Sequence, residues 1–325
     1  MSRLLEDRDR WRRKARGHER RAEQLESDNR ELRAQVHAAQ PHLPATTSRV
    51  EQLFRPGHFY SPIPDLNDVA VRERQIFDLA RTNVPGVDLR VDDQLALLPI
   101  LAGYCAEQPF GEHPKVGMRY GFDNDYFSYG DGLVLYAMLR HHRPARVVEV
   151  GSGWSSALLL DVNEQFFEGG MNLTFIEPYP TRLNELLRPA DRERAEILEQ
   201  RLDEVPAEVF ARLAPGDLLF IDSTHVSRIG SDVNRLFLDI VPELPAGVHI
   251  HIHDMFWPFE YPAEWVYAGR AWNEAYLVRA LLIGNPKLEI TWFAHYLQCH
   301  HAEEVRTAMP LWGRNPGGSL YLRTG

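Results

Sequence analysis

The apolar and polar positions divide the chain into three stretches. Residues 2–40 read as one long helix. A heptad register puts Leu4, Trp11, Leu25, Leu32 and Ala39 at d, and Ala15, Ala22, Asn29 and Val36 at a. An apolar seam with an asparagine at one a position predicts a coiled coil. Residues 1–40 are therefore expected to form a coiled-coil helix that joins copies of the chain into a homo-oligomer, although Arg8 and His18 interrupt the seam. Pro41 and Pro44 end the pattern, and residues 41–58 read as linker. Residues 59–130 are mixed. Val69–Arg81 and Asp92–Glu107 have helical spacing, between loops dense in aromatics, Gly and Pro. This predicts an N-terminal cap over the domain that follows.

From residue 131 the pattern becomes regular. Apolar strands are predicted at Ala145–Val150, Asn172–Ile176, Ala195–Gln200, Asp217–Ile221 and Val248–His253, with helical segments between them. Strands separated by helices pair in parallel through right-handed crossovers. Trp272–Leu282 reads as a helix, and two further strands, Leu288–Phe293 and Ser319–Arg323, are separated by a loop, Met309–Gly318. The expected domain, residues 131–325, is α/β: a doubly wound, mostly parallel, seven-stranded sheet.

Composition narrows the class. The chain has 325 residues and a formal net charge of −10. A basic surface is needed to neutralise phosphates, so nucleic acid is an unfavourable partner. The first 40 residues carry 11 Lys/Arg against 8 Asp/Glu, so the rest is more acidic still. Only Cys105 and Cys299 occur, which gives no disulfide framework and no zinc pattern. No apolar run suggests a leader or a membrane span, and a cytoplasmic location is expected.

The sharpest chemical signal is Val147-Val148-Glu149-Val150-Gly151-Ser152-Gly153-Trp154-Ser155. A strand entering a Gly turn and then a helix lets backbone N–H groups approach a ligand. The third glycine of a dinucleotide turn is replaced by Ser156, which argues against NAD(P). Glu149 at the strand end would repel a pyrophosphate. It would suit a phosphate-free cation such as S-adenosylmethionine (SAM). Glu177, ending the next strand, is expected to accept the ribose hydroxyls. Asp203 is a candidate for the adenine amine.

Glu149–Ser155 together with Glu177 resembles motifs I and II of the class I SAM-dependent methyltransferases, a Rossmann-like family. Phe220–Val226 and His251–Phe256 resemble a bacterial branch with small-molecule substrates. The resemblance implies SAM as cofactor, held by Glu149, Gly151, Ser152, Gly153, Ser155, Glu177, Asp203 and Asp222.

Ligands in open α/β sheets sit beyond the carboxyl ends of the strands. Asp222 ends the fourth strand and His253-Asp254 end the fifth, so Asp222, His225, His253 and Asp254 should converge there. One reading makes His253 or His225 a general base for an acceptor hydroxyl. Another makes Asp222, Asp254 and His253 ligands of a divalent cation such as Mg2+. Metal-dependent O-methyltransferases resemble this site, but Met255 stands where they carry an Asn ligand. Period two puts His249 and His251 on the face of His253, as packed or surface residues. Phe256, Trp257, Phe259, Tyr261 and Trp265 are expected as an apolar lid, extended by Trp272, Asn273 and Tyr276. Tyr60, Tyr120, Asn124 and Asp131 are candidate contributors from the cap.

The expected activity is methyl transfer to a small hydroxylated acceptor, most simply onto oxygen. Two alternatives stay open. One is a metal-dependent oxygenase or hydrolase built on Asp222, His225, His253 and Asp254. The other is a non-catalytic SAM-fold scaffold.

Overall fold

The computed structural model describes residues 53–325. The expected coiled coil, and the oligomer it would make, lie outside the described residues. Two compact units are distinguished, Met1–Ser61 and Pro62–Gly325. In the first, residues 53–61 form a short aromatic turn in which Phe54 stacks on His58 with ring centroids 4.7 Å apart.

The second unit begins with the short helices α1 (Leu66–Val71) and α2 (Glu73–Ile76), then α3 (Val91–Ala106) and α4 (Tyr129–His142). The expected single helix Val69–Arg81 is broken. Val69 is the one buried side chain of α1 and α2 has none, so little packing holds a longer helix together. The alternating part follows: β1 (Arg146–Val150), α5 (Trp154–Phe166), β2 (Asn172–Ile176), α6 (Thr181–Leu186), α7 (Asp191–Arg194), β3 (Ala195–Leu198), α8 (Glu208–Ala211) and β4 (Leu218–Ile221). Next come α9 (Asp232–Asn234) and β5 (His249–Ile252). The helical segment expected between the fourth and fifth strands runs on from α9 as π-helix over Arg235–Ile240. The tail holds α10 (Ala263–Tyr267), α11 (Glu274–Leu282), β6 (Leu288–Phe293), α12 (Ala294–His300), α13 (Ala302–Ala308) and β7 (Leu320–Thr324). A 3-10 turn at Pro310–Arg314 occupies part of the stretch expected as loop.

The sheet has seven strands in the order β3-β2-β1-β4-β5-β7-β6. The first five are parallel, and β7 pairs antiparallel with both β5 and β6. The expected mostly parallel, seven-stranded sheet is therefore observed. All four residues of β4 are buried, and β1 is buried from Val147 onward. Central parallel strands lie between two helical layers, which is why they read as continuous apolar runs. The chain leaves β1 for β2 on one side and returns through β4 on the other. A crevice opens at that reversal, beyond the strand ends. No helix among the described residues is long and apolar enough to cross a membrane.

Candidate active site

Gly151 follows β1 with φ +82°, and a Cβ there would lie 1.9 Å from the Asp222 carbonyl oxygen. The Gly turn after β1 and the end of β4 are thus packed backbone against backbone. A cavity of about 920 Å³ opens beside them. Gly151, Ser152, Glu177, Asp222, His225, His253 and Asp254 all line it.

The turn's amides are already engaged. Ser152 N donates to Glu177 Oε2 at 3.1 Å, and Gly153 N donates to Ser156 Oγ at 2.9 Å. Donors that would hold a pyrophosphate are capped by the protein's own oxygens. A phosphate-free ligand suits this turn, and a cationic one suits Glu177, Asp125 and Asp222 around it.

Several expected cofactor residues lie elsewhere. Glu149 is not on an acidic rim: it is fully buried beneath the turn. Ser156 Oγ donates to its Oε2, while its Oε1 has no partner. Burial pushes the Glu149 carboxyl up to about 8, against the hydrogen bond of Ser156. Its place follows from the pleat, which alternates side chains between the two faces of β1 under α5. Ser155 is buried in the first turn of α5, and Gly153 faces Arg182 rather than the cavity. Asp203 does not reach the cavity. It is exposed, and Arg201 Nε donates to it at 2.9 Å.

The chemical end is built from two loops. His225 follows β4 with φ +59°, and Asp254 follows β5 with φ +57°. Non-glycine residues held in this region mark places where the surroundings dictate the backbone. His225 Nε2 lies 3.3 Å from Asp222 Oδ1 and 3.6 Å from Asp254 Oδ2. One ligand atom from each of Asp222, His225 and Asp254 falls within 4.8 Å of the others. His225, rather than the expected His253, completes this trio. His253 sits beside it, 3.5 Å from Asp222 Oδ1 and 3.5 Å from Asp131 Oδ2, and among the described residues neither ring nitrogen is hydrogen-bonded.

Charge binds the cluster. Burial opposes a charged His225, but Asp222 and Glu274 carry its pKa up to about 10. Burial likewise opposes a charged His253, yet Asp254, Asp222 and Asp131 raise it. Asp222 is held below the usual carboxylate range, because His253 and His225 outweigh its burial. Asp254 moves the other way, raised by burial.

Of the cap residues, Asp131 reaches the cavity. Its Oδ1 accepts from Ser319 Oγ at 2.5 Å and from Gly318 N at 3.1 Å. Tyr120 is buried, its hydroxyl donating to the Phe127 carbonyl, and Asn124 closes the same loop. Tyr60 belongs to the first unit. Among the lid residues, Phe256, Trp257, Tyr261, Trp265 and Trp272 line the cavity. Phe259 is buried in the core, and Tyr276 is an exposed residue bonded to Glu260. His251 is packed, as expected, with its ring on Tyr321 at 4.4 Å and Nε2 3.0 Å from Ser319 Oγ. His249 stacks on His142 at 3.8 Å.

Sequence reasoning missed Arg182, Arg270, Ser223, Thr224 and the turn Asn315–Gly318, all of which line the cavity. The Pro316-Gly317-Gly318 run was the visible signal for that turn. It also missed Glu274, which lies fully buried behind His225.

Residues 148–255 match a family model described as a methyltransferase domain. An uncharacterized protein of Archaeoglobus fulgidus is 37% identical over 169 residues, which cover 50% of this chain and 75% of that one. Solved structures give looser likenesses. One is the SAM complex of TomG, an O-methyltransferase of Streptomyces achromogenes involved in tomaymycin synthesis. It is 15% identical, with 79% of this chain and 96% of that one covered and a TM-score of 0.39. Another is an S-adenosylhomocysteine-bound methyltransferase of Podospora anserina, at 14% identity, 82% and 99% coverage and a TM-score of 0.38. The family match covers the glycine turn, Glu177 and the ends of β4 and β5: residues 148–255 of this chain are a SAM-dependent methyltransferase domain.

Proposed function

We propose that the protein O-methylates a small hydroxylated acceptor, and that Asp222, His225 and Asp254 hold a divalent cation at the reacting end. The observation that carries this reading is the trio itself: three ligand atoms within 4.8 Å, at two adjacent strand ends, on the wall of the cofactor cavity. Two carboxylates and one imidazole suit a hard cation such as Mg2+ better than the two-His, one-carboxylate set of iron oxygenases.

SAM supplies an electrophilic methyl carbon when bound. A divalent cation supplies Lewis acidity toward a hydroxyl oxygen. The chain's residues do the rest. Gly151 and Ser152 leave room for the cofactor, and Glu177 fits its ribose. The oxygen–carbon bond forms as the sulfur–carbon bond breaks, and the hydroxyl proton must leave. His253 stands beside the trio, 3.5 Å from Asp222 Oδ1, and with a cation neutralising the two aspartates it would be placed to take that proton. Phe256, Trp265 and Trp272 wall the acceptor side and exclude water. Methyl transfer is largely a matter of alignment, and rigid walls provide it.

The test is transfer of a labelled methyl group from SAM to a panel of catechols, sugars and other hydroxylated metabolites. It is run with EDTA and with Mg2+ restored. Turnover that needs Mg2+ and falls at least roughly a hundredfold in Asp222→Asn is expected, since the trio would act as a unit. Full turnover in EDTA would remove the cation. Tight SAM binding with no transfer to any hydroxyl would favour the scaffold reading.

A further inference from the structure

The loop after β4 and the start of α11 are joined by a dense set of hydrogen bonds. The His225 carbonyl accepts from Asn273 N at 3.0 Å and Glu274 N at 3.2 Å. Ser227 N donates to Asn273 Oδ1 at 2.6 Å, and Asn273 Nδ2 returns to the Ser227 carbonyl at 3.2 Å. Glu274 completes the joint with its side chain. Its Oε1 accepts from Ser223 Oγ at 2.6 Å, and its Oε2 lies 2.8 Å from His225 Nδ1.

Glu274 opens α11, where an acidic residue ordinarily favours the helix dipole from the surface. Here the carboxylate is fully buried and turned onto a histidine. A buried carboxylate persists where it is paired and hydrogen-bonded. A carboxylate at Nδ1 requires the ring proton there. Nε2 is then the nitrogen presented to Asp222 and Asp254. Trp272 lies on the other side of the ring, centroids 4.3 Å apart, and limits its rotation.

We propose that Glu274 is the positioning residue of the active site: it fixes which nitrogen His225 offers to the Asp222–Asp254 pair and holds the ring at that angle. The residue lies outside the matched methyltransferase segment, so the support of the reacting end comes from the tail of the chain. The inference rests on the site proposed above, but its direct readout does not.

The experiment uses the full-length, 15N-labelled protein loaded with S-adenosylhomocysteine, with Mg2+ or EDTA. The histidine ring nitrogens and their protons are followed by NMR in the wild type, Glu274→Gln and Asn273→Ala, with His225→Gln for assignment. The wild type should show a His225 Nδ1 proton far downfield, as a carboxylate-bonded imidazole does. Glu274→Gln keeps the side chain's size and loses its charge. Its His225 proton should move upfield, Mn2+ affinity and kcat should each fall by roughly 10–100-fold, and S-adenosylhomocysteine affinity should stay within about twofold. Asn273→Ala should lower the melting temperature and leave the His225 signal in place. An unmoved His225 proton in Glu274→Gln, or wild-type Mn2+ affinity there, would overturn the assignment. Equal loss of the signal in Asn273→Ala would overturn it too, since any loosening of the loop would then suffice. If EDTA leaves wild-type turnover unchanged, the cation reading fails by itself, and the His225 proton still decides the role of Glu274.

Discussion

Gly151 shows how much of this site rests on single positions. Any Cβ there meets the Asp222 carbonyl at 1.9 Å, and the φ of +82° is already foreign to other residues. Overpacking of this kind costs about 1–3 kcal/mol, and the left-handed backbone adds about 1–2 more. Gly151→Ala should weaken S-adenosylhomocysteine binding by roughly a hundredfold, at 1.4 kcal/mol per decade. Calorimetric titration checks this, and an unchanged Kd would show that the turn and β4 are not packed together. Glu149 makes a separate, pH-dependent contribution. Its folded-state pKa, raised to about 8 by burial, lies above the ordinary glutamate value. The folded form therefore binds the proton more tightly than the unfolded chain does. The stabilisation is full below about pH 4.3 and is lost as pH rises toward 8. Glu149→Gln resembles the protonated acid, and its melting temperature should fall less between pH 5 and 8 than that of the wild type. Parallel melting curves across that range would show that Glu149 does not carry this dependence.

At the scale of elements, what the sequence made legible was whatever burial on two faces imprints. The strands β1, β2, β4 and β5 read directly, because a central parallel strand is apolar on both sides. The convergence of Asp222, His225, His253 and Asp254 followed from strand ends and topology alone. Side chains whose role depends on direction did not read. Glu149 and Glu177 look alike in sequence, each at a strand end, yet one is buried under the turn and the other lines the cavity. Glu274 reads as an ordinary first-turn acid until its burial is known. The spatial place of β7, between β5 and β6, is also not a property of sequence order. That place matters, because it brings Ser319 between His251 and Asp131. Ser319 Oγ donates to Asp131 Oδ1, so His251 Nε2 must donate to Ser319 Oγ. The order of donors fixes the His251 tautomer, and burial keeps its pKa well below the ordinary value. Ser319→Ala strands a buried ring N–H and leaves Asp131 Oδ1 with the Gly318 N–H alone. It should cost about 1–3 kcal/mol in denaturant unfolding. A loss below a few tenths would mean that another group replaces the hydroxyl.

For the molecule as a whole, one ion network ties the cofactor side together. Arg119 is buried in the loop before α4, and its guanidinium pairs with Asp161 and Glu164 of α5 and with Asp191 of α7. Arg188 and Arg194 lie against Glu164, so three arginines balance three acids in a chain of net charge −10. Asp161 also accepts from the Arg119 and Tyr120 backbone N–H groups at 2.8 Å each. The network thus anchors the strip that carries Asp125, Tyr126 and Asp131 to the cavity wall. Arg182 lies over the Tyr126 ring at 3.5 Å, extending that strip to α6. Replacing Arg119 by Met leaves buried carboxylates without their partner, a change that costs about 3–5 kcal/mol. At about 2–4 °C per kcal/mol for a domain of this size, the melting temperature should drop by roughly 6–20 °C. The strip should loosen with it, so S-adenosylhomocysteine should raise the melting temperature of Arg119→Met less than that of the wild type at equal ligand concentration. Scanning calorimetry with and without ligand measures both. A large drop with the full ligand increment would confine the network to stability. A variant as stable as the wild type would mean that the three acids find other partners, and that the strip is held by Phe110, Tyr120, Phe122 and Phe127 in the core.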